Sequence, residues 1–112
     1  FTLPPLSRTF REEKFRNVHA GSWWHYLPSQ KTAKQVTYSY AIVNTGDTPA
    51  RVRVEISPNR IDYTLDREET VEPGETKVMV PTKFLKYTRI GVRSDGDRQA
   101  CVDVYYQAQS GL

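Results

Sequence analysis

His19, His25 and Cys101 are the side chains of this chain best suited to hold a metal or attack a substrate. Together with an Asp or Glu the two histidines could flank a cation. Neither sits in a recognisable ligand motif, so no metal and no cofactor is assigned. A nucleophile elbow, a phosphate loop and a paired-cysteine knuckle are all missing from the sequence. These residue types therefore read as ordinary surface or half-buried side chains, and the chain reads as a non-enzyme. A single cysteine excludes a disulfide within the chain. Cys101 lies in an apolar, strand-like run, which suits a buried inert thiol; in a secreted protein the alternative is a bond to another subunit.

Binding chemistry has two candidates. Basic residues interleave with rings at Arg8, Arg11, Lys14 and Arg16, and recur at Lys83, Lys86, Arg89 and Arg93, as a phosphate backbone would require. Glu12 and Glu13 interrupt the first cluster. The second has the spacing of a solvated strand face. With 16 Lys and Arg against 13 Asp and Glu, the net charge is only +3, and no nucleic-acid partner is expected. The second candidate is Trp23-Trp24-His25-Tyr26, whose rings could stack on sugars or line an interface. Neighbouring residues of a strand face opposite ways, so Trp23 and Trp24 do not form one platform, and one of them is expected in the core.

The elements that must carry these residues are strands. Val36, Tyr38, Tyr40 and Ile42 alternate with Thr37, Ser39, Ala41 and Val43, and Asn44-Thr45-Gly46-Asp47 breaks the run as a turn. Arg51-Val52-Arg53-Val54-Glu55-Ile56 alternates cleanly, with three β-branched residues in and three charges out to solvent. Ile61, Tyr63 and Leu65 form a third run. Val71-Glu72-Pro73-Gly74-Glu75 is a turn, and Lys77 to Val80 a short strand ended by Pro81. Phe84 to Arg93 sets Phe84, Thr88, Ile90 and Val92 on one face. Ala100 to Gln107 closes the series with Val102, Val104 and Tyr106 on one side. No stretch has a capped helical period. Short strands separated by Gly, Pro and Asn turns over 112 residues predict an antiparallel β-sandwich, immunoglobulin-like or jelly roll.

Residues 1–30 read differently, as an extended N-terminal arm or extra strands before a sandwich domain at 31–112. Phe1-Thr2-Leu3-Pro4-Pro5-Leu6 cannot be helical, because the prolines lack donors and hold their predecessors extended. Leu3, Leu6, Phe10, Phe15 and Val18 are large apolar groups, each gaining about 1.5–3 kcal/mol on burial. The arm is thus expected to pack on its own domain or on a neighbour.

The turns Asn44-Thr45-Gly46 and Pro73-Gly74-Glu75-Thr76 resemble those of bacterial immunoglobulin-like domains. A sharper likeness runs from Tyr38 to Gln109. It rests on Ile56-Ser57-Pro58-Asn59, Val71-Glu72-Pro73-Gly74, Val80-Pro81-Thr82-Lys83-Phe84-Leu85-Lys86-Tyr87-Thr88-Arg89 and Val104-Tyr105-Tyr106-Gln107-Ala108-Gln109. These resemble an uncharacterised domain-of-unknown-function family of spore-forming bacteria. That resemblance implies a non-enzymatic surface role and supplies no site residues.

Together these readings give an expected function. A sandwich presents unpaired strand edges, and an extended arm from another copy can fill one. Passed head-to-tail, such a contact builds a fibre. The chain is therefore expected to be a self-assembling subunit of an extracellular filament or surface appendage, with itself as partner. Small sandwich subunits with N-terminal arms build bacterial pili and spore appendages, which is an analogy of fold. The alternative is an extracellular module for glycan or cell-surface adhesion. No apolar run is long enough to span a bilayer. A start at Phe1 rather than Met fits either removal of a secretion signal or a chain trimmed from a longer one.

Overall fold

A computed structural model describes residues 9–110, and all its regular structure is strand. In chain order the strands are β1 (Thr9–Ala20), β2 (His25–Tyr26), β3 (Gln30–Lys31), β4 (Gln35–Asn44), β5 (Ala50–Ser57), β6 (Thr64–Val71), β7 (Thr76–Met79), β8 (Tyr87–Ser94) and β9 (Ala100–Ser110). They form two antiparallel sheets. The first has the order β1-β9-β4-β7; the second has the order β2-β8-β5-β6, with β3 also on β8. β2 and β3 occupy the same edge of β8 and act as one interrupted strand, bridged where the Leu27 N–H donates to the Ile90 carbonyl at 2.9 Å. Counted so, every connection except the β5–β6 hairpin crosses between sheets. That is the strand order of an eight-stranded jelly roll, which settles the choice against the immunoglobulin-like order.

The alternating residues of the central strands build the core between the sheets. Ile42, Val52, Val54, Ile90, Val92, Val102 and Val104 are fully buried. Tyr40 and Tyr106 pack ring to ring at 5.2 Å, and Tyr38 flanks Tyr106 at 6.2 Å. Tilted pairs at these separations add to the burial of the rings.

Two turns close one end of the sandwich. The Glu75 N–H donates to the Glu72 carbonyl at 2.9 Å across Pro73-Gly74, with Gly74 at φ 79°. This is a type II turn, in which the left-handed position favours glycine. The other turn is organised by Asn44, which is 1% exposed. Its Nδ2 donates to the carbonyls of Thr48 at 2.8 Å and Val71 at 2.9 Å, while its Oδ1 accepts from the Gly46 N–H at 3.0 Å. Asn44 and the Glu72–Glu75 turn also exchange backbone bonds, from the Asn44 N–H to Glu75 and from the Gly74 N–H to Asn44. The two turns that stand apart in sequence are thus one structure.

Residues 9–20 are the edge strand of the first sheet. They pair with β9 of the same chain from Thr9↔Ser110 to Ala20↔Ala100. A bulge lies between Phe15 and Val18, where Asn17 takes φ 55° and its N–H donates to Asp103 Oδ1 at 2.8 Å. Asn tolerates that left-handed position. Phe15 packs against the core before the bulge, and Val18 and Ala20 enter it beyond.

Three runs depart from the expected alternation. Val36 is 69% exposed rather than inside, because the β4–β9 register shifts between Gln35 and Thr37. Phe84 is exposed, because Pro81 ends the ladder and β8 begins only at Tyr87. Ile61 and Leu65 are exposed too. For Ile61 the reason is that Asn59 Oδ1 accepts the Ile61 and Asp62 N–H groups and keeps that stretch a turn until β6 starts at Thr64; Leu65, inside β6, pairs with Glu55 and so lies on the outer face.

Candidate functional site

Two surfaces of the sandwich carry unusual side chains. One is a notch at the end opposite the Asn44 turns. β9 pairs with β4 from Gln35 to Asn44, but β7 reaches only Tyr40 to Val43. The stretch Gln35–Ser39 therefore has a sheet neighbour on one side only. Pro81 stops β7 from continuing. Asp66, at the β5–β6 bulge, then accepts the N–H groups of Thr82 at 2.7 Å and Lys83 at 3.1 Å and draws the following loop toward the second sheet. What remains is an open cavity of about 230 Å³, lined by apolar Val36, Tyr38, Val80, Pro81 and Phe84 and by polar Gln35, Thr37, Thr82 and Lys83. Val36, Val80 and Phe84 are 69%, 44% and 60% exposed. The buried Oε1 of Gln35 has no hydrogen-bond partner among the described residues. A shallower hollow of about 170 Å³ adjoins it, with Phe10, Thr37 and Gln109 in its wall. Such a concentration of apolar surface around an unpaired strand edge is what an incoming peptide covers.

The second surface is the outer face of the β2-β8-β5-β6 sheet. Arg89 on β8 lies between the rings of Tyr26 and Tyr63, 3.9 and 3.8 Å from their centroids. Its guanidinium meets Glu55 Oε1 at 2.7 Å, and the Tyr26 hydroxyl donates to Glu55 Oε2 at 3.1 Å. Glu55 was expected in solvent with Arg51 and Arg53, yet it is only 6% exposed, because those groups roof it. Arg53 and Arg93 approach the Trp24 ring at 4.6 and 5.2 Å. Glu68 pairs with Arg51 at 2.8 Å and Arg53 at 3.3 Å. Gly91 makes room for the stack: a Cβ there would lie 2.7 Å from the Tyr26 ring. Cations over rings and paired carboxylates occupy most of one another's contacts here, leaving the Arg53 Nε without a hydrogen-bond partner among the described residues.

Phe15 and Val18 pack on their own core. Phe10 stands on the outside, 57% exposed, at the hollow beside Tyr38. Leu3 and Leu6 lie outside the described residues. Neither tryptophan is core, contrary to expectation: Trp23 is 86% exposed, and Trp24 is half-buried under arginines on the same face as Tyr26. The reason is that the chain leaves β1 at Ala20 and has only two strand residues before Leu27 turns in. Alternation did not single out Tyr63 and Arg89, which meet only through sheet pairing. Tyr87 is a plain packed ring beside Arg60 and Lys86.

The remaining reactive groups are scattered. His19 stands opposite Cys101 on the β1–β9 ladder, whereas His25 is on the other sheet. Cys101 is half-buried, with the Thr45 hydroxyl 3.5 Å from its sulfur. Among the described residues no three His, Cys, Asp or Glu side chains gather as a metal site would need. Burial pushes the Tyr106 phenol up to about 12; Tyr38 adds to the shift and Arg11 opposes it. The Tyr40 phenol is also raised, first by burial and then by the neighbouring tyrosines. Among the described residues no helix is long and apolar enough to cross a membrane.

Fold and surfaces define a jelly-roll domain with one strand edge left open at Gln35–Ser39. Residues 31–110 match the family described as a domain of unknown function (DUF6385), and the chain belongs to that family. No curated protein matches it. Two solved structures share the fold. One is a chain reported under "Bacillus endospore appendages form a novel family of disulfide-linked pili", 12% identical, with a TM-score of 0.64 over 97% of this chain and 92% of that one. The other, from "Crystal structure of PirA", is 16% identical, with a TM-score of 0.59 over 88% and 92%.

Proposed function

We propose that this protein is a non-catalytic structural subunit of an extracellular filament or surface appendage. Each copy passes its N-terminal segment to the next, head-to-tail, so that the contact repeats without closing. The observation that carries this reading is the notch at Gln35–Ser39: an unpaired edge, ringed by exposed Val36, Val80 and Phe84, at the end of the sheet where Thr9 begins β1. A pilus subunit with the same fold, matched over nearly its whole length, supports it by analogy. The glycan reading has less support, because the Trp24 and Tyr26 faces that would stack on sugar are already taken by Arg53, Arg93 and Arg89.

The test compares the full chain with a version lacking residues 1–8, which leaves every described strand intact. Negative-stain electron microscopy and sedimentation are expected to show polymers for the full chain and monomers for the shortened one. Monomers from both, with circular dichroism showing both folded, would sink the reading.

A further inference from the structure

The notch differs from an ordinary strand acceptor, and so does the segment available to fill it. In an antiparallel ladder, successive residues turn their N–H groups to opposite sides. Pro4 and Pro5 are adjacent and have no N–H, so one of them would always face β4 without a donor. A continuous ladder through this segment is therefore broken. Polyproline geometry suits it better. With three residues per turn and a rise of about 3.1 Å, Leu3 and Leu6 fall on one face, about 9 Å apart, and the other backbone N–H groups stay free to donate. The cavity offers the matching features. Tyr38, Phe84 and Pro81 give it the ring-lined wall that proline-rich peptides use.

Reach decides which copy supplies the segment. The notch lies one strand position beyond β4, hence three positions from β1 in the order β1-β9-β4. At about 4.8 Å per position that is about 14 Å. Three residue steps join Leu6 to Thr9 and span at most about 11 Å. A chain therefore cannot seat Leu6 in its own notch while its β1 stays paired with β9; Leu3, six steps from Thr9 and able to span about 21 Å, is not barred by reach alone, so it is the pair of leucines together that requires a second copy.

We propose that the β4 notch is a receptor for Phe1–Leu6 of a second copy, bound as a polyproline segment with Leu3 and Leu6 turned into the cavity. This rests on the self-assembly reading above and names its receptor and mode of binding.

Full-length chains in a Cys101→Ser background test it. A Leu3→Cys copy mixed with a Phe84→Cys copy under mild oxidation is expected to give mixed-disulfide dimers at least tenfold faster than a Leu3→Cys copy mixed with a Trp23→Cys copy. Trp23 is the control because it is 86% exposed yet lies in the β1–β2 connection, at the end where the Ser94 N–H meets the Gly21 carbonyl, away from the notch. A chain carrying both Leu6→Cys and Phe84→Cys, kept dilute, is expected to form no internal disulfide. Equal rates at Phe84 and Trp23, or a ready internal disulfide, would overturn the receptor. If the unmodified chain polymerises but Leu3 does not find Phe84, the receptor falls and self-assembly stands. If Leu3 finds Phe84 in mixed dimers but no polymer forms, the filament falls and the receptor stands.

Discussion

The two ends of this sandwich are built to opposite rules. At the Asn44 end, buried polar groups find partners within the chain. Asn44 alone serves three backbone sites, the Ser94 N–H reaches the Gly21 carbonyl at 2.7 Å, and the Ser94 hydroxyl reaches the Arg98 carbonyl. At the notch end, the first sheet leaves a strand edge open, three large apolar side chains in solvent and the Gln35 Oε1 without a partner. Both ends are made from the same strands, β4 and β9, so strand chemistry is not the cause. Pro81 and Asp66 are: one denies β7 its continuation, and the other holds the next loop away. The contrast separates the residues that keep the domain folded from those that are free to meet another molecule.

The largest effect is expected at the closed end. Asn44→Leu keeps the volume but leaves the Thr48 and Val71 carbonyls and the Gly46 N–H without their side-chain partner, and the cost is about 3 kcal/mol in urea unfolding. A loss below about 1 kcal/mol would show that water replaces the side chain and that this end is less closed than the geometry says.

The next test lies midway between the ends, in the tyrosine cluster. Burial keeps the Tyr40 and Tyr106 phenols neutral to a higher pH than in the unfolded chain, where tyrosine ionises near 10. That stabilisation is fully present below pH 10 and is lost as the pH climbs toward 12, by on the order of 2 kcal/mol for Tyr106. The Tyr106 hydroxyl also has no partner among the described residues. Tyr106→Phe is therefore expected to be at least as stable as the parent at pH 7 and to lose less stability in alkali. Urea midpoints across that range measure both. A Tyr106→Phe protein less stable by more than about 1 kcal/mol at pH 7 would mean that the hydroxyl is bonded.

The smallest change in stability is expected at the open end. Val36→Lys replaces a side chain already 69% in water and shifts the unfolding free energy by less than about 0.5 kcal/mol. It places a charge on the notch all the same, and sedimentation is expected to show assembly lost. A stable variant that still polymerises would move the contact elsewhere.

The central strands were legible because their apolar residues alternate without interruption: Val52-Val54-Ile56 and Val102-Val104-Tyr106 mark β5 and β9, and both are core. The Asn44 and Pro73-Gly74 turns were legible from residue type. Strand order was not, because alternation says which face is buried and nothing about which strand lies beside which. β1 also escaped. Arg11-Glu12-Glu13-Lys14 has no apolar period, since both faces of that stretch are exposed and only its backbone is paired. The notch was hidden for a related reason. It arises where Val36 is turned out by a shift in register and where a carboxylate sixteen residues away captures the Thr82 N–H, and neither event leaves a mark on local spacing.

The pairing of β1 with β9 sets the order of events during folding. Thr9 finds its partner in Ser110, so the edge strand nearest the N-terminus waits for the strand nearest the C-terminus, and β4 waits for the same strand. Sheets closed by such distant pairs form on the millisecond-to-second scale. On a ribosome, synthesis at about 5–20 residues per second makes the delay several seconds longer still. For that interval the first sheet lacks its centre: β7 covers β4 only from Tyr40 to Val43, and Gln35–Ser39 has no neighbour on either side. The same chain that offers a short edge when folded offers a long one while nascent, which makes the timing of β9 a safeguard against premature association.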